Sequence, residues 1–445
     1  MVPLETGALW NKVKPNDQLS FAIGVRSIWR NTMNRQRLLE RFLRYVQVDT
    51  TANEQQESYP SSSGQWDLGR MLVEELKTMG YADAHQDDHA LVWVTIPSNQ
   101  ADAGPTIAFN AHLDTSPETS GKGVKPQVIE SYSGEVVQLS GDPQKTISME
   151  SNPELQQLLG TTLITTDGTT LLGGDDKAGV AIMMELAETL AEQSSLPHGE
   201  VKLLFTCDEE IGRGVDHVDF EKLGATACYT LDGSGANDVD IETFSADLAI
   251  VSIQGENIHP AIAKDRMVNA LRVGADMIER LPKDQSPERT EGRAGFIHPY
   301  SMEGGVASAT IRMILRDFDT EKLLEYADQL EATAKDVQSA WPGSEVTVEV
   351  RKQYRNLSEG LRREPRAAAY AFLAHERLGR TAKSSIVRGG TDGSQMTERG
   401  LPTPNLSCGQ HNIHSPLEWA SLEEMVAAGN VAMELVKIWN EQPSL

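Results

Sequence analysis

Five short runs in this chain bring together side chains able to hold metal ions and move protons. They are His112-Leu113-Asp114, Gly174-Asp175-Asp176-Lys177, Asp208-Glu209-Glu210, Leu231-Asp232-Gly233 and His414-Ser415-Pro416-Leu417-Glu418. Imidazole and carboxylate without thiolate form a hard-to-borderline donor set that suits Zn2+, Mn2+ or Co2+. Two imidazoles and three carboxylates are more than one zinc with an open position takes. They match two ions about 3.5–4 Å apart that share one bridging carboxylate. The densest run is 208–210, where adjacent carboxylates repel one another unless a cation sits among them. Glu209 and Glu210 are therefore expected to divide two tasks, one as base and one as ligand, with Asp208 as a surface or helix-start residue. Taken singly, each run has an ordinary use. Asp175 and Asp176 can charge a helix N-terminus, Asp232-Gly233 can be a turn, and His414 can be a loop histidine. Their joint occurrence carries the metal reading.

The elements that must position these runs alternate between helix and strand. Leu38, Leu39, Phe42, Leu43 and Val46 keep helical spacing from near Arg35 to about Val48. A serine-rich loop follows at 51–64. A second helix carries Leu68, Met71, Leu72, Leu76 and Met79 on one face and stops at Gly80. Apolar strands are predicted at 90–96, 106–111, 162–165, 201–205 and 228–231, and a helix over Ile182, Met183, Leu186 and Leu190 follows the Asp175 run. Residues 116–158 show no period. The first four runs each follow a predicted strand. In an open α/β sheet the carboxyl ends of neighbouring strands meet along one edge, where ligands bind.

The pattern changes near Phe244. Alternating strands at 246–254 and 306–316 and a short one at 347–350 enclose two periodic helices, the second with Asp319 as its N-cap. This predicts an inserted α+β, ferredoxin-like lid domain over 245–353. It is spliced into a mixed-sheet α/β catalytic domain made of 33–244 and 354–445. After it come a helix from Pro365 to Gly379, the glycine-rich Arg388-Gly389-Gly390-Thr391-Asp392-Gly393, and a last helix whose Ser421 and Glu424 are spaced as a capping box. Residues 1–32 read as a loosely held extension or an early start codon, without a secretory cleavage pattern.

At 445 residues, two domains are the default. Forty basic against 65 acidic residues leave a net charge of −25. That excludes nucleic acid and anionic membrane as natural partners and suits divalent cations or cationic small substrates. No apolar run nears the ~18 residues needed to span a bilayer. Three widely spaced cysteines form no disulfide framework and fit a reducing cytoplasm.

In this order the motifs are recognisable. The chain resembles the peptidase T family, tripeptide aminopeptidases of the co-catalytic zinc superfamily that includes aminoacylase and carboxypeptidase-type enzymes. The resemblance runs from about Arg35 to Trp439. It rests on His112-Leu113-Asp114-Thr115-Ser116-Pro117, Leu163-Ile164-Thr165-Thr166-Asp167-Gly168, Leu172-Gly173-Gly174-Asp175-Asp176-Lys177-Ala178-Gly179, Asp208-Glu209-Glu210, Arg388 to Gly393, Met267-Val268-Asn269-Ala270-Leu271 and Arg316-Asp317-Phe318-Asp319.

The resemblance implies two zinc ions, with Mn2+ or Co2+ as substitutes. Asp175 bridges them, His112 and Asp232 complete one site, and Glu210 and His414 complete the other. It implies that Asp114 fixes the His112 tautomer and that Glu209 is general base to a water between the metals. His259 is expected at the oxyanion, and Asn269 and Arg316 on the substrate's backbone or carboxylate. Cys207 and Gly174 depart from the family's proline and alanine. Between two loop histidines, His414 is preferred because the superfamily's ligand lies four residues before a Glu, here Glu418; His411 is the fallback. The implied substrate is a short peptide. The alternatives are a dipeptidase or N-acyl-amino-acid amidohydrolase with the same machinery, and a non-catalytic metal- or peptide-binding protein. The inserted sheet offers an edge for a homodimer.

Overall fold

The computed structural model describes residues 33–442. The predicted extension at 1–32 lies outside the described residues. The first helix, Arg35–Tyr45, starts at an Asn34 cap that accepts from Arg37 N, and turns Leu38, Leu39, Phe42 and Tyr45 inward. Helix Ser63–Thr78 buries Leu68, Leu72, Val73 and Leu76. Both lie on the large core that also takes in helix Gly174–Glu192 and the C-terminal helix Leu422–Glu441.

That core covers one face of an 11-stranded mixed sheet. At its centre four strands run parallel as neighbours, in the order Val201–Thr206, Ile107–His112, Ala227–Ser234, Asn405–His411. Val92–Ile96 pairs antiparallel to the first of them. On the far side Trp419–Ser421, Leu163–Thr165 and Gln127–Ile129 extend the sheet antiparallel. The central strands are apolar on both faces. Leu203 and Phe205 enter the large core, while Leu204 enters a smaller one with Leu91, Trp93, Ala108 and Cys228. Burial on both faces explains their continuous apolar runs and aligns their carboxyl ends on one edge.

Residues 245–354 carry a second sheet, four antiparallel strands in the order Phe296–Gly304, Ser308–Asp317, Ser245–Gln254, Glu345–Tyr354. Helices Ala270–Glu279 and Thr320–Ala340 cover one face around Val251, Ile253, Val273, Ile311, Met313 and Leu330. Asp319 caps the second helix through Glu321 N. Both chain crossings lie side by side at Asn356. Its N–H donates to Ser245 Oγ at 2.9 Å, its amide donates to Phe318 O at 2.9 Å, and its Oδ1 accepts from Thr243 N at 3.2 Å. Arg388 spans the same junction, donating to the carbonyls of Gly292 and Ala294 at 2.8 Å while its guanidinium sits over Phe244 and Phe296.

The structure corrects four readings of the sequence. Strand Phe296–Gly304 was not expected, because Pro299 and Gly304 break its pattern. It is an edge strand with a register shift at Pro299, the place where a sheet tolerates proline. The aperiodic 116–158 stretch contains short strands Gln127–Ile129, Val137–Leu139 and Asp142–Ile147, and packs Tyr132, Leu139 and Leu155 against Trp419. The first two have three residues each, too few to show alternation, and the third carries only Ile147 as an apolar side chain besides Pro143. The Ser421 capping box is one-sided. Ser421 Oγ accepts from Glu424 N, but the Glu424 carboxylate turns to His411. Asp208, taken from the sequence as a surface or helix-start residue, is fully buried.

Candidate metal centre

His112 is the last residue of its central strand, and Asp232 lies within Ala227–Ser234 next to it. Glu209 and Glu210 follow the end of Val201–Thr206. Neighbouring parallel strands thus deliver these residues to one edge. Asp175 arrives as expected at the N-terminus of helix Gly174–Glu192, where its own φ and ψ are not helical. Glu418 fixes that start, its buried carboxylate accepting from the N–H groups of Leu172 at 2.7 Å, Gly173 at 2.9 Å and Asp175 at 3.1 Å. His414 comes from the loop after Asn405–His411, with a left-handed φ of 61°.

The five predicted ligands meet as two adjoining groups, His112–Asp175–Asp232 and Asp175–Glu210–His414. Within each group the donor atoms lie within 4.8 Å of one another. Asp175 faces both ways. Its Oδ1 is 3.0 Å from His112 Nε2 and its Oδ2 is 3.2 Å from His414 Nε2. Asp232 Oδ1 is 3.8 Å from His112 Nε2, and Glu210 Oε2 is 3.0 Å from His414 Nε2. A carboxylate with one oxygen toward each group has the geometry of a bridge.

Each imidazole has a second partner for its other nitrogen. His112 Nδ1 lies 3.1 Å from Asp114 O and 3.4 Å from Asp114 Oδ1. His414 Nδ1 lies 3.2 Å from the exposed Glu118 carboxylate. Asp114 also shapes the acidic turn. Its Oδ1 accepts from Glu209 N at 3.0 Å and its Oδ2 from Glu210 N at 3.1 Å. This pins two successive residues whose side chains diverge.

The electrostatics call for added positive charge. Burial, and then the Asp175 charge, push Glu210 up to about 8 and Asp232 up to about 7. Burial also raises Glu209 well above the ordinary carboxyl range, with Asp232, Asp392 and Glu210 adding to it against His112. Burial opposes charge on His414, yet Asp175 and Glu210 carry it up to about 11. His112 likewise rises through Asp114, Asp175 and Asp232 in spite of its burial. Asp175 stays ionised against its burial because both imidazoles hold it down. Protonated imidazoles are poor metal ligands, so a divalent cation would displace these protons and take the charge role. Glu210 Oε1 is buried without a hydrogen-bond partner, as a ligand atom would be. The residues present fit two divalent metal ions.

The remaining predicted residues fall outside this cluster. His259 is exposed, and its ring nitrogen accepts from Ala261 N at 3.2 Å. Asn269 caps helix Ala270–Glu279 through Leu271 N. Arg316 is half-buried at the base of the second sheet, 3.5 Å from Arg388 O, with Nε unpartnered. Ala246 pairs with Arg316 on one side and Tyr354 on the other, so the two flank a small residue on one face. The Tyr354 hydroxyl is also buried without a partner, and its ring covers Gly390. His411 stacks on Trp419 at 3.8 Å and lies 2.6 Å from Glu424, which removes it from the ligand set.

Sequence reasoning passed over several supporting residues. Asp176 accepts from His112 N at 3.1 Å. Buried Lys177 donates to Val48 O at 2.7 Å. Asp392 accepts from Thr206 Oγ1 at 2.5 Å. All three sit inside motifs already singled out, whereas Glu118 and Tyr354 have no local signal.

Fold and site together define the class of metal-dependent hydrolases built at the edge of an α/β sheet. The description "Peptidase family M20/M25/M40" matches residues 167–438. A peptidase T of Geobacillus kaustophilus is 40% identical over 410 residues, covering 92% of this chain and all of that one. Among solved structures, a tripeptidase from Staphylococcus aureus superposes with a TM-score of 0.72 at 24% identity, over 92% of this chain and 100% of its own. A dinuclear metal-binding peptidase of the M20 family from Bacillus subtilis gives 0.61 at 14%, over 92% and 99%. This chain belongs to Peptidase family M20/M25/M40 and is an enzyme of its peptidase T group. Among the described residues no helix is long and apolar enough to cross a membrane.

Proposed function

We propose that this enzyme is a metallo-aminopeptidase that removes the N-terminal residue from tripeptides, using two zinc ions. His112, Asp175 and Asp232 would hold one ion, and Asp175, Glu210 and His414 the other. The observation that carries the reading is Asp175, whose two oxygens turn to two different imidazoles with one further carboxylate beside each. When bound, such a pair of ions polarises the scissile carbonyl and lowers the pKa of water.

The chain's own residues supply the rest. Glu209, beside the ligands but not in either group, takes the proton from the attacking water and returns it to the leaving amine. Asp114 sets the His112 tautomer and holds the backbone of 209–210. Arg316 and Tyr354, each with an unpaired buried polar atom, receive the substrate's carboxylate end. His259, exposed, and Asn269, engaged in a helix cap, are the further candidates for substrate contact. The three free, buried cysteines fit a cytoplasmic protein. Edge strand Glu345–Tyr354 offers a surface for a homodimer.

The test is elemental analysis of the purified chain combined with hydrolysis of di-, tri- and tetrapeptides, with and without a chelator. About two metals per chain are expected, with chelator-sensitive cleavage of tripeptides that need a free amino group. Equal cleavage of N-acetylated tripeptides would refute the aminopeptidase reading. Glu209→Gln should keep both metals and lose most turnover.

A further inference from the structure

The acidic turn is gripped on a second side, away from the ligands. Asp208 takes a left-handed backbone, φ 61°, which a non-glycine residue adopts only when its surroundings hold it there. Its carboxylate is buried and fully used. Oδ2 accepts from Ser61 N at 2.7 Å, and Oδ1 accepts from Ser61 Oγ at 2.5 Å and Gln65 Nε2 at 2.6 Å. Its own N–H donates to Gln65 Oε1 at 3.0 Å. Gln65 therefore spends both ends of one carboxamide on this residue, from a buried position in helix Ser63–Thr78. The loop before that helix adds Tyr59 OH on Cys207 O at 3.0 Å, and receives Arg213 Nη1 on Ser58 O at 3.1 Å.

We propose that Asp208, Ser61 and Gln65 are a positioning clamp for Glu209, a role that rests on the reading of Glu209 as the base. Asp114 holds the N–H groups of 209 and 210 from the metal side. The clamp holds the corner that precedes them from the helix side. A bound metal would keep Glu210 in place even with the corner loosened, whereas Glu209 has no such tether. Loosening the clamp therefore moves the base and spares the ligands. A misplacement of about 1 Å at a reacting group costs about 100-fold in rate.

The test uses Gln65→Met, which keeps the side chain's bulk and removes both hydrogen bonds to Asp208, together with the one to Ser62 Oγ. kcat on a tripeptide should fall about 10- to 100-fold, with KM and the two bound metals within about twofold of wild type. In a Glu209→Gln background the same substitution should change the residual rate by less than about twofold, because the group it positions is gone. A purely structural role would add its full loss in both backgrounds and overturn the clamp. Wild-type kcat in Gln65→Met would overturn it as well. Loss of metal in a folded Gln65→Met would overturn it too; should Gln65→Met fail to fold, Ser61→Ala removes the hydroxyl's bonds to Asp208 Oδ1 and from Asn53 N and must show a smaller kcat loss with the same non-additivity, an additive loss or none overturning the proposal. Full activity in Glu209→Gln alone would instead sink the reading of the base.

Discussion

Asp114→Asn separates the ligand-supporting role of this residue from mere burial. Both carboxylate oxygens face backbone donors, Glu209 N at 3.0 Å and Glu210 N at 3.1 Å, while the same side chain sits 3.4 Å from His112 Nδ1. An Asn amide has nearly the same shape and one acceptor oxygen. It can keep one of the two N–H contacts, and its NH2 group must then point at the other N–H. One charge-assisted hydrogen bond is lost, worth ~1.5–3 kcal/mol. That converts to about 10- to 100-fold. The loss falls on the placement of Glu209 and Glu210 and on the basicity of His112, so it should appear as weaker metal binding and lower kcat together. Outer partners of metal-bound histidine typically cost 10- to 100-fold when removed, in line with this figure. The assay is competition of the purified enzyme against a chelator of known zinc affinity, followed by kcat on a tripeptide at saturating metal. Metal affinity and kcat both within about twofold of wild type would refute the reasoning.

Further outcomes follow from the same geometry. His414→Ala should lose about one metal per chain by elemental analysis, whereas His411→Ala should keep both, because its ring is spent on Trp419 and Glu424; equal loss would return His411 to the ligand set. Tyr354→Phe removes only an unpaired hydroxyl. It should raise KM for a tripeptide about 3- to 10-fold and leave the amidated peptide's KM unchanged, in keeping with ~1 kcal/mol for one hydrogen bond. An equal rise for both peptides would show that the hydroxyl does not read the carboxylate end. Burial, helped by Arg380, holds His375 down at about 4 against its ordinary 6.5. The unfolded chain therefore binds this proton first as pH falls. The stability is fully present above pH 6.5 and is lost between 6.5 and 4, amounting to ~2 kcal/mol by pH 4.5. Urea unfolding at pH 7 and 4.5 should show a larger loss in wild type than in His375→Gln; equal losses would exclude His375 as the cause.

The candidate site was legible in the chain because its candidate ligands sit in short motifs next to apolar runs. His112, Glu210 and Asp232 follow or end strands whose continuous apolar character announces burial on both faces, and strand ends on one edge must converge. Asp175 was legible at the opening of its helix, but what holds that opening was not. It comes from a helix start held by Glu418, which lies more than two hundred residues further on. Asp208 misled for a similar reason. Three acids in a row look solvated, and only Ser61 and Gln65, brought over from another helix and its loop, explain why the first of them is buried.

By itself, the order of motifs determined the family and singled out the candidate metal-binding residues, since these depend on residue type and local period. Tertiary structure alone showed what each of the two loop histidines does, because Trp419 and Glu424 capture the ring of His411 while that of His414 faces Asp175 and Glu210. It also decided how three adjacent acids are held: Asp114 accepts from the N–H groups of Glu209 and Glu210, and Asp208 turns away to Ser61 and Gln65. Hydrogen bonds between segments far apart in the chain set those directions, and no periodicity in a single segment encodes them.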